Sequence, residues 1–227
     1  MCNAGDNIVH IYDRDIHSVK TLTLPAAPAA GPMPSFMVDM KGGFKIEKTK
    51  LKKGDILFLY TDGIEESTRI CRDAHFNPIQ SVKKDADGNE KLETENELLE
   101  SDRILQIIQA VMNKSTFELK KDRNPVNSEK LVFDFSNCTG TLEEVITALI
   151  SVEKVFRLYK PAELTKENTV RVDKKIDTFL KQHFNQYSAY CSLQDKDLEN
   201  STYVYYTNLM EDEQLDDLTL VAVRLNI

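Results

Sequence analysis

The chain of 227 residues has no tryptophan and only four cysteines. These cysteines, at positions 2, 71, 138 and 191, form neither a C-x-x-C pair nor a cluster with histidine. The sequence therefore predicts free thiols in a reducing compartment rather than a zinc site or a disulfide framework. Acidic residues outnumber basic ones, 37 to 29, and the net charge is −8. Because sequence-independent binding to nucleic acid needs a basic surface, this composition argues against nucleic acid as a partner.

Long apolar runs are missing as well. No stretch approaches the roughly 18 apolar residues of a membrane-spanning helix, and the first residues lack the basic and apolar regions of a signal peptide. The proportions of hydrophobic and charged residues, 41% and 29%, are typical of globular proteins. We therefore expect a cytoplasmic location, for the protein itself or as the cytoplasmic domain of a larger, membrane-anchored protein. The length predicts one domain, with room for an insertion.

The stretch 51–68, LKKGDILFLYTDGIEEST, combines a turn, a strand and an acidic residue. Its polar start, with Gly54, predicts a turn. The apolar run Ile56–Tyr60 is rich in strand formers and predicts a central strand. Asp62 follows where that strand leaves the core, a position that can direct a carboxylate toward a metal ion or a substrate. Asp-Gly is also a common turn former, so this dipeptide alone leaves both interpretations open.

A second acidic stretch lies near the other end of the chain. The sequence QLDDLTLVAVR places Asp216 and Asp217 directly before another predicted strand. Neighbouring acidic residues often form a solvated turn, but two strands that each carry an aspartate at one end can bring those residues together. Carboxylate oxygens are the ligands that hard divalent cations such as Mg²⁺ and Mn²⁺ prefer.

Together these motifs resemble the SpoIIE/RsbU branch of the metal-dependent protein serine/threonine phosphatases. The resemblance rests on TDGIEE after the strand GDILFLY, on the closing DDLTLVAVR and on the opening Asn3-Ala4-Gly5, with Gly31-Pro32-Met33 as a looser match. It covers about residues 1–70 and the last dozen. It implies an α+β fold in which an antiparallel β-sandwich is flanked by helices.

The resemblance implies a hydrolase with two Mn²⁺ or Mg²⁺ ions, which activate a water for attack on phosphoserine or phosphothreonine. By motif match, Asp62 and Asp216 are the expected metal ligands and Asp217 is the second choice, while no residue is assigned to catalysis or substrate binding. Glu66 matches a glutamate that commonly follows the motif, although an acidic residue at a helix start explains it equally well. The expected partners are a phosphorylated protein, by analogy an anti-anti-sigma factor of bacterial regulatory signalling, and an upstream sensor domain.

The chain departs from the family pattern in two ways. The family's leading strand and further metal-binding aspartates have no counterpart here, so residues 1–227 are expected to be the C-terminal part of a phosphatase domain, inactive or very weak alone. The stretch at about 73–200 is longer than expected and predicts a helical insertion. Two alternatives stay open: a non-catalytic pseudophosphatase or protein-binding module, and an unrelated α+β protein whose acidic turns occur by chance.

Hydrophobic periodicity predicts the remaining elements. The expected strands are 8–12, 35–40, 44–48, 131–135 and 202–206, and the expected helices are 101–112, 141–159 and 172–187. Thr141 and Glu144 form a capping-box pattern at the start of the second of these helices. The highly charged stretch 83–102 is expected to be a solvated loop.

Four basic side chains are expected at the surface. His10 and His17 show no partner spacing typical of metal ligands. Arg69 and Arg72 follow the acidic motif and have the chemistry to bind a phosphate, but two nearby arginines are more often surface residues.

Overall fold

The structure, a computed structural model, describes residues 9–22, 34–40, 42–43, 48–73, 75–120, 130–161, 163, 169–214 and 216–226. The predicted features at Asn3-Ala4-Gly5 and Gly31-Pro32-Met33, and most of the predicted strand 44–48, lie outside these residues. The chain divides into two compact units. The first contains the residues up to Ile64 and those from Asp216 onward, and the second is Glu65–Leu215.

Within the described residues there are fourteen strands and six helices. The strands are β1 (Val9–Asp13), β2 (Ser18–Thr21), β3 (Ile56–Tyr60), β4 (Thr68–Ile70), β5 (Gln80–Lys84), β6 (Glu90–Thr94), β7 (Asn96–Leu98), β8 (Thr116–Lys120), β9 (Lys130–Asp134), β10 (Leu158–Tyr159), β11 (Val170–Asp173), β12 (Tyr203–Tyr206), β13 (Met210–Glu211) and β14 (Leu220–Arg224). The helices are α1 (Ser35–Met40), α2 (Asp62–Glu65), α3 (Ser101–Met112), α4 (Leu142–Arg157), α5 (Lys174–His183) and α6 (Tyr187–Tyr190). The strand pairings in these ranges are antiparallel, so the predicted α+β fold with antiparallel sheets is confirmed.

The first unit is built on a four-stranded sheet in the order β14-β3-β1-β2. The prediction of a central strand at Ile56–Tyr60 is confirmed, since β3 lies between β14 and β1. Its residues alternate between buried and half-buried positions. Leu59 lies opposite Val9 on one side and Val221 on the other. Residues from both ends of the chain therefore share one sheet.

A tight turn leads into β3, as the sequence predicts. The Asp55 carboxylate accepts the N–H of Lys52 at 2.8 Å and that of Arg14 at 3.2 Å. Gly54 has φ 92° and donates its N–H to the carbonyl of Leu225 at 2.7 Å. A positive φ strains most other residues, so glycine suits this position. The turn thus binds segments that follow β1 and β14.

His10 lies in the core of the first unit, and the prediction of a surface position is wrong. Its ring is fully buried, with Nε2 2.5 Å from the Tyr60 hydroxyl and Nδ1 3.0 Å from the Thr21 hydroxyl. Burial lowers the pKa of His10 to about 4, because desolvation disfavours the charged ring. The ring can lie in the core because both of its nitrogens find hydroxyl partners. His17, by contrast, is exposed as predicted.

The strand predicted at Ser35–Met40 is wrong, because these residues form helix α1. Pro34 precedes the helix and accepts the N–H of Met37 at 2.9 Å. Proline is favoured at helix starts, where its missing N–H costs nothing. Gly42 and Gly43 have φ values of 92° and 69°, and Gly43 donates its N–H to Val38 at 2.9 Å. The two glycines therefore end the helix.

The second unit contains helices α3 to α6 and ten strands paired two by two. Helix α4 packs against both α3 and α5 and is buried over most of its length. The predicted capping box is confirmed: the Thr141 side chain accepts the N–H of Glu144, and the Glu144 carboxylate accepts the N–H of Thr141. Helix α5 is shorter than predicted. Asp173 caps its start by accepting the N–H of Lys175, and the residues before it pair as β11.

The charged stretch 83–102 is not a solvated loop. It contains β6, β7 and the end of β5, and β5 and β6 form a hairpin in which Val82 lies opposite Leu92. The Asp85 carboxylate closes the turn by accepting the N–H groups of Asp87 and Asn89 at 3.0 and 2.8 Å. Most residues of β5 and β6 are exposed, including Val82 and Leu92, so the hairpin lacks the apolar-polar alternation that predicts a half-buried strand.

The predicted insertion at about 73–200 falls within the second unit and stays a prediction.

The core of the second unit includes a cluster of aromatic rings, among them Phe133, which stacks on Phe184 with centroids 4.8 Å apart. Among the described residues, Cys71, Cys138 and Cys191 form no disulfide, and the first two are buried. None of the helices in the described ranges has the length and hydrophobicity needed to cross a bilayer.

Candidate functional site

Thr61 joins the two stretches that carry the predicted acidic residues. Its N–H donates to the carbonyl of Thr219 at 3.0 Å. Its hydroxyl donates to the carbonyl of Asp217 at 3.1 Å and accepts the N–H of Thr219 at 3.2 Å. One side chain thereby satisfies two backbone groups of the incoming chain, and it fixes the residues before β14 beside the end of β3.

Gly63 allows the same two stretches to approach still more closely. A Cβ at this position would lie 2.4 Å from the carbonyl oxygen of Asp217 and 3.4 Å from the carbonyl carbon of Asp216. Because a carbon cannot approach a backbone oxygen that closely, any side chain at position 63 must displace one of the two segments. The structure thus brings the Asp62-Gly63 backbone against that of Asp216-Asp217.

The three carboxylates predicted to bind metal are all exposed. The Asp216 side chain accepts the N–H of Asp217 at 2.7 Å, which orients that carboxylate. The side chains of Asp62 and Asp217 make no hydrogen bond or ion pair with residues that the structure describes. Among all the residues that the structure describes, no group of three or more His, Cys, Asp or Glu residues is placed to hold a metal ion. The two motifs therefore meet without forming a complete metal centre from the described residues.

Two residues important for this geometry were not identified from the sequence. Thr61 and Gly63 looked like ordinary turn residues, because their partners lie more than 150 positions away, as the Thr61–Asp217 separation of 156 shows. A small residue beside a predicted ligand is a signal of close backbone approach. It does not reveal which segment approaches.

Comparison with known families decides the affiliation of the chain. The family model described as Stage II sporulation protein E (SpoIIE) matches residues 1–120, which is more than half of the 227 residues. The chain belongs to the SpoIIE family. The resemblance seen in the motifs is thereby confirmed, and the alternative of an unrelated protein with chance turns is wrong. No curated protein and no solved structure matches the chain.

Membership in the SpoIIE family identifies a phosphatase-related regulatory domain. The matched region includes Asp62, Gly63 and Glu66, whereas Asp216 and Asp217 lie beyond its end. Glu66 is exposed and directly follows the short helix α2. For the closing acidic pair, therefore, the link to the family motif rests on the contact with Gly63.

In this SpoIIE-family chain, Arg69 and Arg72 do not lie free on the surface, so that prediction is wrong. Arg69 is buried and binds Glu97 through two nitrogens at 2.9 and 2.6 Å. Arg72 binds the Asp212 carboxylate through Nη1 at 2.9 Å and Nη2 at 2.5 Å. Although burial opposes ionisation of Glu97, Arg69 holds the pKa of that carboxyl below its ordinary value. Both guanidinium groups are therefore already neutralised by carboxylates, which disfavours phosphate binding.

Proposed function

We propose that this SpoIIE-family chain contributes to a metal-dependent protein serine/threonine phosphatase. In this proposal Asp62 and Asp216 hold a divalent cation and Asp217 supports them. The observation that carries the proposal is the contact at Gly63, where a Cβ would lie 2.4 Å from the carbonyl oxygen of Asp217. Such close approach of two acidic motifs that lie far apart in the sequence favours a shared role for their carboxylates.

The donor chemistry suits Mn²⁺ or Mg²⁺, because both ions prefer carboxylate oxygens. When bound, such ions lower the pKa of a water molecule and offset charge on phosphoryl oxygens. The chain's own contribution is to position the ligands. Thr61 and Gly63 hold the two backbones together, and the N–H of Asp217 orients the Asp216 carboxylate.

The number of ligands is smaller than a two-metal site requires. Two or three carboxylates cannot complete the coordination of two ions that each prefer six or more ligands. We therefore expect this chain alone to show weak or no phosphatase turnover. Rapid, Mn²⁺-dependent hydrolysis of a phosphoserine peptide by the isolated chain would contradict that expectation.

The test is calorimetric titration of the chain with Mn²⁺, which does not depend on activity. The variants are Asp62→Asn and Asp216→Asn, with Asp217→Asn as a third. The matched control is Asp39→Asn, which alters another exposed aspartate of the first unit. We expect Mn²⁺ affinity to fall at least tenfold in each of the first two variants, to fall less in the third and to stay unchanged in the control.

Each outcome of the titration bears on the proposal. Loss of binding in both Asp62→Asn and Asp216→Asn places the two residues at one metal centre. Binding that survives either substitution contradicts a shared centre. If the unaltered chain binds no Mn²⁺, these carboxylates do not hold a metal by themselves.

A non-catalytic binding module is the second candidate, and one observation favours it. The described residues contain no cluster of three metal-binding side chains, as expected for a pseudophosphatase that has kept the fold without the ions. The full-length protein separates the two candidates. Phosphoserine hydrolysis that disappears in Asp62→Asn supports the enzyme, whereas partner binding without turnover supports the module.

The remaining functional assignments rest on analogy within the family. We propose a phosphorylated protein as the substrate, in bacterial regulatory signalling that involves an anti-anti-sigma factor. We also propose an upstream sensor domain in the complete protein and a cytoplasmic site of action. Dephosphorylation of a purified anti-anti-sigma protein by the full-length protein would test the substrate assignment directly.

A further inference from the structure

The second unit contains a cavity of about 70 Å³. Its walls are largely apolar and aromatic, with contributions from Leu131, Val155, Phe156, Leu158, Tyr159 and Tyr190. A cavity of roughly 150 Å³ holds a benzene ring. This one has about half that volume, so it suits an aliphatic group of roughly three or four carbon atoms rather than an aromatic ring.

Four of the charged residues around the cavity neutralise each other. Arg69 pairs with Glu97 and lies over the Phe156 ring at 4.6 Å. Arg72 pairs with Asp212 and lies over the Tyr159 ring at 3.4 Å. These pairs form part of the cavity wall. Glu97 also binds Arg103, and both cavity arginines already have a carboxylate partner within the protein.

Two further charged residues line the cavity without an ion-pair partner among the described residues. Lys160 is half-buried, and its ammonium lies 5.3 Å from the centroid of the Tyr190 ring. The Asp73 carboxylate accepts N–H groups, from the backbone of His75 at 2.8 Å and of Asn77 at 2.9 Å and from the Asn77 side chain at 3.3 Å. The Asn77 N–H lowers the pKa of Asp73, so this carboxylate is ionised near neutral pH. The half-buried Lys160 and the exposed Asp73 thus give the cavity lining one positive and one negative group.

Phe76, which also lines the cavity, has an unusual backbone conformation. Its φ is 64°, a left-handed value that strains a bulky residue. The turn at Asp85 has the same hydrogen bonds as the turn at Asp73, and it places Gly88, with φ 83°, at the equivalent position. The second turn shows that glycine suits this geometry, so a phenylalanine at position 76 carries a cost in backbone strain that glycine would not.

We propose that this cavity binds a free α-amino acid with a small branched aliphatic side chain, of the size of valine or leucine. The side chain enters the cavity beside Phe76, the carboxylate meets Lys160 and the ammonium meets Asp73. A zwitterion supplies one anionic group to pair with Lys160 and one cationic group to pair with Asp73. The volume of the cavity limits the size of the ligand's side chain. The site is separate from Asp62 and Asp216 and does not depend on the proposed phosphatase activity.

The test is calorimetric titration of the full chain with L-leucine and L-valine, together with measurement of the melting temperature. Four related compounds serve as controls. In 4-methylpentanoate the ammonium is missing, in 3-methylbutylamine the carboxylate is missing, glycine has no side chain and L-phenylalanine is too large. We expect L-leucine or L-valine to bind and to raise the melting temperature, and each of the four compounds to bind at least tenfold more weakly.

Variants test each contact. Lys160→Gln and Asp73→Asn should each weaken binding at least tenfold. In Asp73→Asn the carbonyl of the new amide side chain can still accept the two backbone N–H groups, of His75 and Asn77, that close the turn. Lys84→Gln, at an exposed position on the β5–β6 hairpin, should have no effect. Phe76→Gly should weaken binding while the melting temperature of the unliganded chain stays the same or rises, because strain is relieved.

Failure of both L-leucine and L-valine to bind overturns the proposal. Binding of L-leucine that is unchanged in Lys160→Gln and Asp73→Asn also overturns it. So does an affinity for 4-methylpentanoate and 3-methylbutylamine that equals the affinity for L-leucine. If Phe76→Gly keeps full affinity and lowers the melting temperature, Phe76 is a structural residue and has no part in the site.

Discussion

Gly63 determines how closely the two acidic motifs approach one another. In a Gly63→Ala variant the new Cβ would lie 2.4 Å from a backbone oxygen that cannot rotate away. Inserting atoms into a well-packed contact typically costs about 1–3 kcal/mol, and we expect this substitution to lie in that range. Because the Asp216-Asp217 segment must move, Mn²⁺ affinity should fall as well. Urea unfolding and calorimetry would measure the two effects.

Glu66→Ala provides the comparison for this substitution. Glu66 is exposed and close in sequence, and its truncation adds no atom near Asp217. We expect its free energy of unfolding to change by no more than about 0.5 kcal/mol, which is typical of surface positions. Equal stability of Gly63→Ala and Glu66→Ala would show that the close contact is not important for folding.

The burial of His10 predicts that the stability of the folded chain depends on pH. Burial lowers the pKa of this residue to about 4 in the folded chain, whereas the ordinary value of about 6.5 applies after unfolding. The unfolded chain therefore binds more protons between these values, so stability is complete above about pH 6.5 and declines as pH falls toward 4. We expect His10 to account for a loss of about 2 kcal/mol between pH 7 and pH 5.

Comparison with His10→Asn isolates this contribution from that of the acidic residues. The variant has no titrating group at this position, so its unfolding free energy should change less between pH 7 and pH 5, measured in urea. The same pH dependence in both proteins would mean that His10 is not held neutral by burial.

Helix α4 depends on the cap at its first turn. The Glu144 carboxylate accepts the N–H groups of Thr139 and Thr141 and both threonine hydroxyls. Although burial opposes ionisation, these donors lower the pKa of Glu144 to about 2. Its contribution is therefore present above the ordinary glutamate pKa and is lost as pH falls toward 2. Glu144→Ala leaves several donors without this acceptor, and we expect a cost of about 1–2 kcal/mol at neutral pH.

Glu143→Ala is the matched control for the cap. Glu143 precedes Glu144 in the same turn, but its ion pair with Lys175 is exposed, and such pairs contribute little. Thermal melting should show a clear loss of stability for Glu144→Ala and almost none for Glu143→Ala. A similar loss for both would indicate that negative charge in the first turn of the helix, and not the hydrogen bonds of the cap, is responsible.

Elements with a complete local signal were predictable from the sequence. The apolar run of β3 and the capping box of α4 each lie within a few residues, and both predictions are confirmed. Ser35–Met40 has strand-forming residues but lies between a proline and two glycines. These flanking residues favour the start and the end of a helix. The β5–β6 hairpin was missed because nearly all of its positions are exposed, including Val82 and Leu92, so its strands show no alternation of apolar and polar residues.

The site was less predictable, because its geometry depends on contacts distant in sequence. Asp62 was identified from its motif, but the role of Gly63 follows only from the position of Asp217. In the same way, Arg69 and Arg72 were expected at the surface because their partners Glu97 and Asp212 could not be inferred. Local patterns specify which chemical groups are present, and the pairing of distant segments decides which of them remain free to bind a ligand.

The two proposed sites lie in different units of the chain. Asp62 and Asp216 belong to the first unit, which needs both ends of the sequence because β14 pairs with β3. The cavity residues belong to the second unit, a continuous stretch. In that unit each described strand pairs with another strand of the same unit, and the buried helix α4 packs against α3 and α5. The second unit therefore has its own core and its own complement of strand pairs.

We predict from this that the segment Glu65–Leu215 folds without the remainder of the chain. A domain with its own hydrophobic core and closed strand pairing should unfold cooperatively, so the isolated segment should give a single sigmoidal melt by circular dichroism. L-leucine should raise its melting temperature as in the full chain, because Asp73, Phe76 and Lys160 are all present. Mn²⁺ should have no specific effect, because Asp62 and Asp216 are absent. A gradual, non-cooperative melt would show that the second unit needs the first in order to fold.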